Sequence, residues 1–233
     1  MRFADPRPDG RAIVYSAIQA DPLVAGAADL LAEATHAQRL LARAAMNGAS
    51  LEPDTWRAMF PTLFGPDADP PGSPARRRSE AILEVSLDVA DRGEQVRSQF
   101  RGAIVEAVTE RLLRAGLPGR PPAAVRRERR ILFDGVRAEI HPYDVTVEVD
   151  GAAAAIDCKW GARGISADVL HQLDDARQHA ADDDERLDVL LVVFDAARSC
   201  AIRLDRQTAP HQATRVVPLE DLDDLARLSA AAR

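Results

Sequence analysis

The chain has 233 residues, 46% of them apolar and 29% charged, and a net charge of −7, enough for one medium domain with an appendage or for two small ones. No apolar run approaches the ~18–20 residues of a membrane span, MRFADPRPDG lacks the apolar stretch of a signal peptide, and Cys158 and Cys200 alone make neither a disulfide framework nor a metal array. These features predict a cytoplasmic protein with reduced thiols and no membrane partner, and the acidic balance excludes capture of nucleic acid by bulk charge but not by a local basic groove.

Residues 1–10 are rich in Pro, Gly and Asp and read as irregular. From about Arg11 to Ala45 the chain is Ala/Leu-rich, with Leu30, Ala34, Ala37, Leu41 and Ala44 at helical spacing. Asn47-Gly48 ends this run, and Pro53 opens another that carries Trp56, Met59 and Phe60. The segment PDADPPGSP (66–74) holds four prolines and a glycine and reads as a linker. It would separate an all-helical N-terminal region, 1–70, from a domain over 75–233. Ser73-Pro74 has the form of an N-cap followed by proline at the first helical position, so a helix is expected through Ile82, Leu83, Val85 and Leu87 up to Gly93. A second, from Glu94 to Ala115, carries Phe100, Ile104, Val105, Val108, Leu112 and Leu113, with Gly116 and Pro118 as its stop signal.

From Arg129 the period changes. Ile131 to Phe133 reads as a short strand preceded by a basic run, Arg126, Arg127, Arg129 and Arg130. Tyr143 to Val149 alternates strictly, with Tyr143, Val145, Val147 and Val149 on one face and Asp144, Thr146 and Glu148 on the other. Asp150-Gly151 is a two-residue hairpin turn, and Ala152 to Trp160 is the return strand. Asp168 to about Ala181 reads as a helix and Val189 to Phe194 as a central buried strand. Cys200 to Leu204 reads as a further strand, and the tail from Leu219 as helical. This order implies an α/β domain behind a helical N-terminal part.

A two-residue turn pairs Val149 with Ala152 and Val145 with Ile156, and sets Asp144 opposite Asp157 with Cβ atoms roughly 4.5–5.5 Å apart. Lys159, two residues on, shares their face. The opposite face, Tyr143, Val145 and Val147 against Ala154, Ile156 and Cys158, reads as core. Facing carboxylates repel, and a bound cation, a shared proton, or solvent with Lys159 nearby would each relieve them. Lys159 is also the only lysine among 30 basic residues. Arg and Lys are interchangeable on a solvated surface but not where a compact ammonium is needed, so this position is a candidate for chemistry; a chance survivor on the surface is the competing reading. Mg²⁺ takes oxygen ligands and commonly uses one or two carboxylates. Asp144 and Asp157 fit that pattern, with Lys159 placed to orient water or to stabilise developing charge.

With Asp144 and then Asp157-Cys158-Lys159 in place, the segment from about Phe100 to Leu204 resembles the PD-(D/E)XK, or restriction-endonuclease-like, superfamily. The resemblance implies an αβββαβ core around a mixed central sheet and a Mg²⁺-dependent phosphodiesterase, with Mn²⁺ able to substitute. Asp144, Asp157 and a helical Glu would hold the metal, and Lys159 would complete the catalytic set. Arg101 to Glu106 resembles the segment that supplies the Glu, so Glu106 is chosen, with Glu110 one turn later as competitor. Gln172 on the following helix resembles the Gln of the exonuclease branch, but Ala176 stands where that branch has Tyr, and an endonuclease is favoured. The literal Pro-Asp is also interrupted, by Tyr143 between Pro142 and Asp144. Arg126, Arg127, Arg129, Arg130 and Gln172 are the expected substrate contacts. DNA is the expected substrate, in a restriction, repair or phage-defence setting, with a companion subunit or homodimer formed through the N-terminal helices.

Other patterns are weaker. His171, Asp175 and His179 share a helix stripe that suits solvent better than Zn²⁺, and Asp182 to Glu185 reads as a solvated loop. The alternatives to an enzyme are a catalytically silent nucleic-acid- or protein-binding module on the same fold, or an α/β interaction protein without a nucleic-acid role.

Overall fold

The computed structural model describes residues 1–5, 10–133, 136–137, 142–149, 152–208 and 214–231. It is an α/β protein with a mixed sheet. The chain divides into two compact units, Gly10–Val108 and a second made of Met1–Asp9 with Thr109–Arg233; the division falls inside a single helix, Glu94–Ala115.

The first unit holds α1 (Gly10–Gln19), α2 (Pro22–Ala32), α3 (His36–Asn47), α4 (Pro53–Met59), α5 (Pro61–Phe64), α6 (Pro74–Ala90) and the start of α7 (Glu94–Ala115). The Ala/Leu-rich run is thus three helices, because two residues inside it start new ones. Asp21 accepts the Leu23 amide, and Thr35 forms a capping box with Gln38. Ser73 caps α6 through the Arg76 amide, with Pro74 in the first turn. The core lies between α3 and α6, where Leu41, Met46, Ile82 and Leu83 are at most 1% exposed. Gln38 Nε2 ties the two helices by donating to Ser79 Oγ at 3.0 Å. Arg39, fully buried, caps the end of α2 by donating from Nε to the Leu31 carbonyl at 3.1 Å. Gly48 is required where the Trp56 ring crosses it, since a Cβ there would lie 2.4 Å from the indole.

The second unit holds β1 (Arg2–Ala4), β2 (Val125–Phe133), β3 (Val136–Arg137), β4 (Tyr143–Val149), β5 (Ala152–Lys159), β6 (Leu187–Val193) and β7 (Arg215–Val217), with α8 (Ala167–Asp182), α9 (Ala197–Leu204) and α10 (Asp224–Ala231). The sheet order is β1-β2-β4-β5-β6-β7, with β3 pairing β2. Strands β1 to β5 pair antiparallel, whereas β5, β6 and β7 run parallel. The register pairs Val149 with Ala152 and Val145 with Ile156, as a two-residue connection demands; Asp150 and Gly151 themselves lie outside the described residues.

Several expectations are corrected. Arg2–Ala4 is a strand rather than irregular, because Phe3 pairs with Ile131 and is buried. The arginine run lies within β2 rather than before it. Cys200–Leu204 belongs to α9: three alternating apolar residues are equally compatible with a helix surface, and here Cys200 is buried while Ile202 is 45% exposed. The sheet edge is supplied instead by β7, which the sequence reading did not anticipate.

Ala155, Leu187, Val189, Leu191 and Val193 pack with Leu170, Leu173, Ala176 and Ala180 of α8. In the opposite direction Cys158 Sγ meets Thr109 Oγ1 of α7 at 3.6 Å. Tyr143 does not follow the simple alternation that groups it with Val145 and Cys158. It joins the α8 cluster, and its hydroxyl donates to the Gln172 carbonyl at 3.2 Å. The alternation breaks where Glu128 of β2 adopts φ 56° and the β2–β4 ladder skips a pair between Arg127–Val145 and Arg129–Tyr143. Among the described residues no helix is long and apolar enough to cross a membrane.

Candidate metal centre

Lys159 is the last residue of β5, at the carboxyl end of the parallel β5–β6 pair, where it stands beside Val193. Ligands of open α/β sheets bind outside such strand ends. The strand end is held firmly. The Phe194 amide donates to the Lys159 carbonyl at 2.8 Å, and the Trp160 ring stacks on Phe194 with centroids 5.0 Å apart. Buried Asp195 accepts the Ala162 amide at 3.0 Å and the Ala196 amide at 2.8 Å. This fixes the one-turn 3-10 segment Ala162–Gly164 that follows. Gly164 lies against the lysine stem: a Cβ there would sit 2.9 Å from Cβ, Cγ and Cδ of Lys159.

The Lys159 ammonium lies 2.8 Å from Asp157 Oδ1 and 2.8 Å from Oδ2. Burial works to lower its pKa, but the charges of Asp157 and then Asp144 outweigh it and hold the group above the ordinary lysine value. Asp144 lies one residue beyond Val145–Ile156, where the β4–β5 ladder ends. Its Oδ2 accepts the Cys158 amide at 2.6 Å. The Lys159 ammonium thus sits on Asp157 and within the field of Asp144.

One acidic neighbour was missed. A carboxylate oxygen of Glu128 lies within 4.8 Å of one on Asp144. Its left-handed backbone is sparsely populated by residues other than Gly, Asn and Asp and is a common mark of functional positions. The signal available in the sequence was one acid inside an arginine run, Arg126-Arg127-Glu128-Arg129-Arg130. Whereas the Asp157 carboxylate is met by the Lys159 ammonium, the neighbouring carboxylates of Glu128 and Asp144 offer oxygen donors only. That chemistry fits a hard cation such as Mg²⁺ and not a thiolate-seeking metal.

Glu106 lies on α7 within the helical unit. It is 4% exposed and accepts hydrogen bonds from the Tyr15 hydroxyl and, at 2.7 Å, from Gln19 Nε2. Its competitor Glu110 is bound by Arg114 at 2.8 Å and Arg127 at 2.9 Å. The expected substrate arginines have intramolecular partners. Arg126 lies 3.6 Å from Asp5, and Arg127 is held by Glu110. Buried Arg129 donates to Glu148 at 2.6 Å and to the Phe3 carbonyl at 2.7 Å. Arg130 and Gln172 are half-buried, on β2 and α8. His171, Asp175 and His179 are exposed along α8.

No protein-family model, curated protein or solved structure matches the chain.

Proposed function

We propose that the chain is a Mg²⁺-dependent nuclease of PD-(D/E)XK type, cutting phosphodiester bonds of DNA from an αβββαβ core made of α7, β2, β4, β5, α8 and β6. The observation that carries this reading is the setting of the only lysine: its ammonium sits on Asp157 and is within the field of Asp144, at the carboxyl end of parallel strands.

Asp144 and Asp157 are the proposed metal ligands, and Glu128 is added to them on its proximity to Asp144. Glu106 is the proposed helical carboxylate. When bound, the ion would polarise the phosphoryl group and acidify the attacking water. The rest of the work falls to the chain. Lys159, kept cationic by its carboxylates, is no base at neutral pH. It donates hydrogen bonds to the attacking water or to the phosphoryl oxygen on which charge develops. Asp157 fixes the direction of that ammonium, and the Cys158 amide fixes the Asp144 carboxylate. The water oxygen bonds to phosphorus, the bond to the leaving sugar oxygen breaks, and that oxygen takes up a proton. Arg126, exposed on β2, is a better candidate for phosphate contact than Arg127 and Arg129, which serve Glu110 and Glu148.

The test is a panel of plasmid, linear and single-stranded DNA and RNA, incubated with Mg²⁺, Mn²⁺ or EDTA, with Asp144→Asn and Asp157→Ala beside the wild type. Cleavage that needs metal and is lost in both variants supports the reading. Metal and DNA binding without cleavage would assign a silent module on the same fold, and cleavage unchanged in both variants would remove these residues from the site.

A further inference from the structure

Asp195 is a buried acid, 7% exposed, that the proposed chemistry leaves unused. It lies just past the end of β6, and its main chain is anchored by the Leu219 amide, which donates to its carbonyl at 3.0 Å. Its side chain passes close to Gly161, where a Cβ would lie 3.5 Å from Oδ2. Each oxygen accepts a backbone amide, Oδ2 that of Ala162 at 3.0 Å and Oδ1 that of Ala196 at 2.8 Å. One carboxylate thus ties the turn after β5 to the segment after β6. The turn is also closed on itself, by the Gly164 amide on the Gly161 carbonyl at 2.9 Å and the Ile165 amide on the Ala162 carbonyl at 3.0 Å. From α9, Arg203 Nε donates to the Ile165 carbonyl at 2.9 Å. The turn ends on Gly164, whose backbone lies along the lysine stem: a Cβ there would be 2.9 Å from Cβ, Cγ and Cδ of Lys159. A four-carbon stem has many staggered rotamers, and this wall excludes those that would run through it.

We propose that Asp195 is a positioning residue for Lys159: by pinning the turn over 162–164 it holds Gly164 against the lysine stem and confines the ammonium to Asp157. Its part in the reaction rests on the reading of Lys159 as the group that serves the attacking water or the phosphoryl oxygen. Reacting groups must be held to within about 0.5 Å by neighbours that are themselves locked. The Lys159 backbone is locked by the Phe194 amide on its carbonyl at 2.8 Å. The side chain has one polar anchor at its tip, Asp157, and the Gly164 wall along its stem. Without Asp195 the Ala162 amide loses its acceptor, the turn is free to shift, and the wall moves with it. The ammonium then gains positions away from Asp157.

The test is ¹³C relaxation of the full chain labelled with [¹³C]lysine, without nucleic acid. The chain has one lysine, so every labelled carbon belongs to Lys159. Nuclear Overhauser effects between its methylenes and the Gly164 α-protons report the wall. The variants are Asp195→Ala, Asp195→Asn and, as a control for general destabilisation, Ile131→Ala, a core change in β2, which β4 separates from β5. Circular dichroism and melting temperature report folding, and plasmid cleavage in Mg²⁺ gives kcat and KM. In the wild type the stem should be ordered and in contact with Gly164. In Asp195→Ala it should become mobile on the ps–ns scale and lose that contact. Asp195→Asn should move the same way by less, since an amide keeps one acceptor oxygen. Ile131→Ala should lose melting temperature and keep an ordered stem. In cleavage, Asp195→Ala should lose roughly tenfold or more in kcat with little change in KM. An ordered stem in folded Asp195→Ala would overturn the inference, as would one in Asp195→Asn should the alanine variant not fold. A stem equally loosened in Ile131→Ala would reduce Asp195 to a stability residue. A loosened stem with unchanged kcat would overturn its part in the reaction. No cleavage by the wild type on any nucleic acid would overturn the nuclease reading and that part with it, whereas a stem loosened by Asp195→Ala alone would still establish the hold on Lys159.

Discussion

Lys159 keeps its charge against the cost of its own burial because two carboxylates face it. The consequence for pH has a definite sign. A pKa raised above the ordinary 10.5 means the ammonium contributes stability fully below that value and loses it as pH rises through the folded pKa. Labelling with [¹⁵N]lysine gives a single side-chain signal, since the chain has one lysine. In the metal-free protein that signal should remain an ammonium up to and beyond pH 10.5; a neutral amine appearing near neutrality would contradict the pairing. The lysine stem is just as constrained. Gly164→Ala places a methyl 2.9 Å from three of its carbons, so the ammonium must move. A shift of about 1 Å at a reacting group can cost about a hundredfold in rate. Gly164→Ala is therefore expected to lose most cleavage with little change in melting, and unaltered cleavage would show that the stem yields harmlessly.

At the scale of elements, β4 and β5 carry the candidate residues Asp144, Asp157 and Lys159, and β6 packs beside them. Leu191 is fully buried and stands beside Asp157 in the register. Leu191→Ala should destabilise by about 3 kcal/mol in urea unfolding, within the usual range for a buried Leu→Ala change; a loss below 1 kcal/mol would mean that the site can collapse around the cavity. In the helical unit, Glu80 of α6 receives Arg57 at 2.8 Å and Arg76 at 3.2 Å. Burial raises its pKa, but the two arginines outweigh it and bring it below 4.5. That contribution is present above the ordinary value and lost as pH falls through the folded pKa. Because the Glu80 side chain is 35% exposed, solvent screens the pair to about 0.5 kcal/mol. Glu80→Gln should lower the melting point slightly at pH 7, and that difference should shrink as pH falls below the ordinary 4.5. What was legible follows from the same physics. Alternation in β4, its partner strand and the apolar run of β6 marked buried faces directly, and the two-residue turn gave the β4–β5 register from Val149–Ala152 to Val145–Ile156. Glu128 was marked only as the one acid inside an arginine run, and its left-handed backbone has no signature in composition. The strand over 200–204 was misread because three residues cannot separate a period of two from one of 3.6.

On the scale of the whole molecule, the net charge is −7, and Arg126, Arg127 and Arg129 are already paired with Asp5, Glu110 and Glu148. Binding of DNA by the isolated chain should accordingly be weak. Fluorescence anisotropy with a labelled duplex, from low to physiological salt, checks this; tight binding that falls steeply with salt would point to a basic groove elsewhere. The measurement that bears most directly on the account is cleavage of supercoiled plasmid in Mg²⁺ by the wild type and Lys159→Arg side by side, with EDTA controls and melting curves. Arginine preserves the charge but not the compact ammonium. The account predicts EDTA-sensitive cleavage by the wild type and a loss of roughly a hundredfold in the folded variant; equal cleavage by the two proteins, or none by the wild type on any nucleic acid, would contradict it.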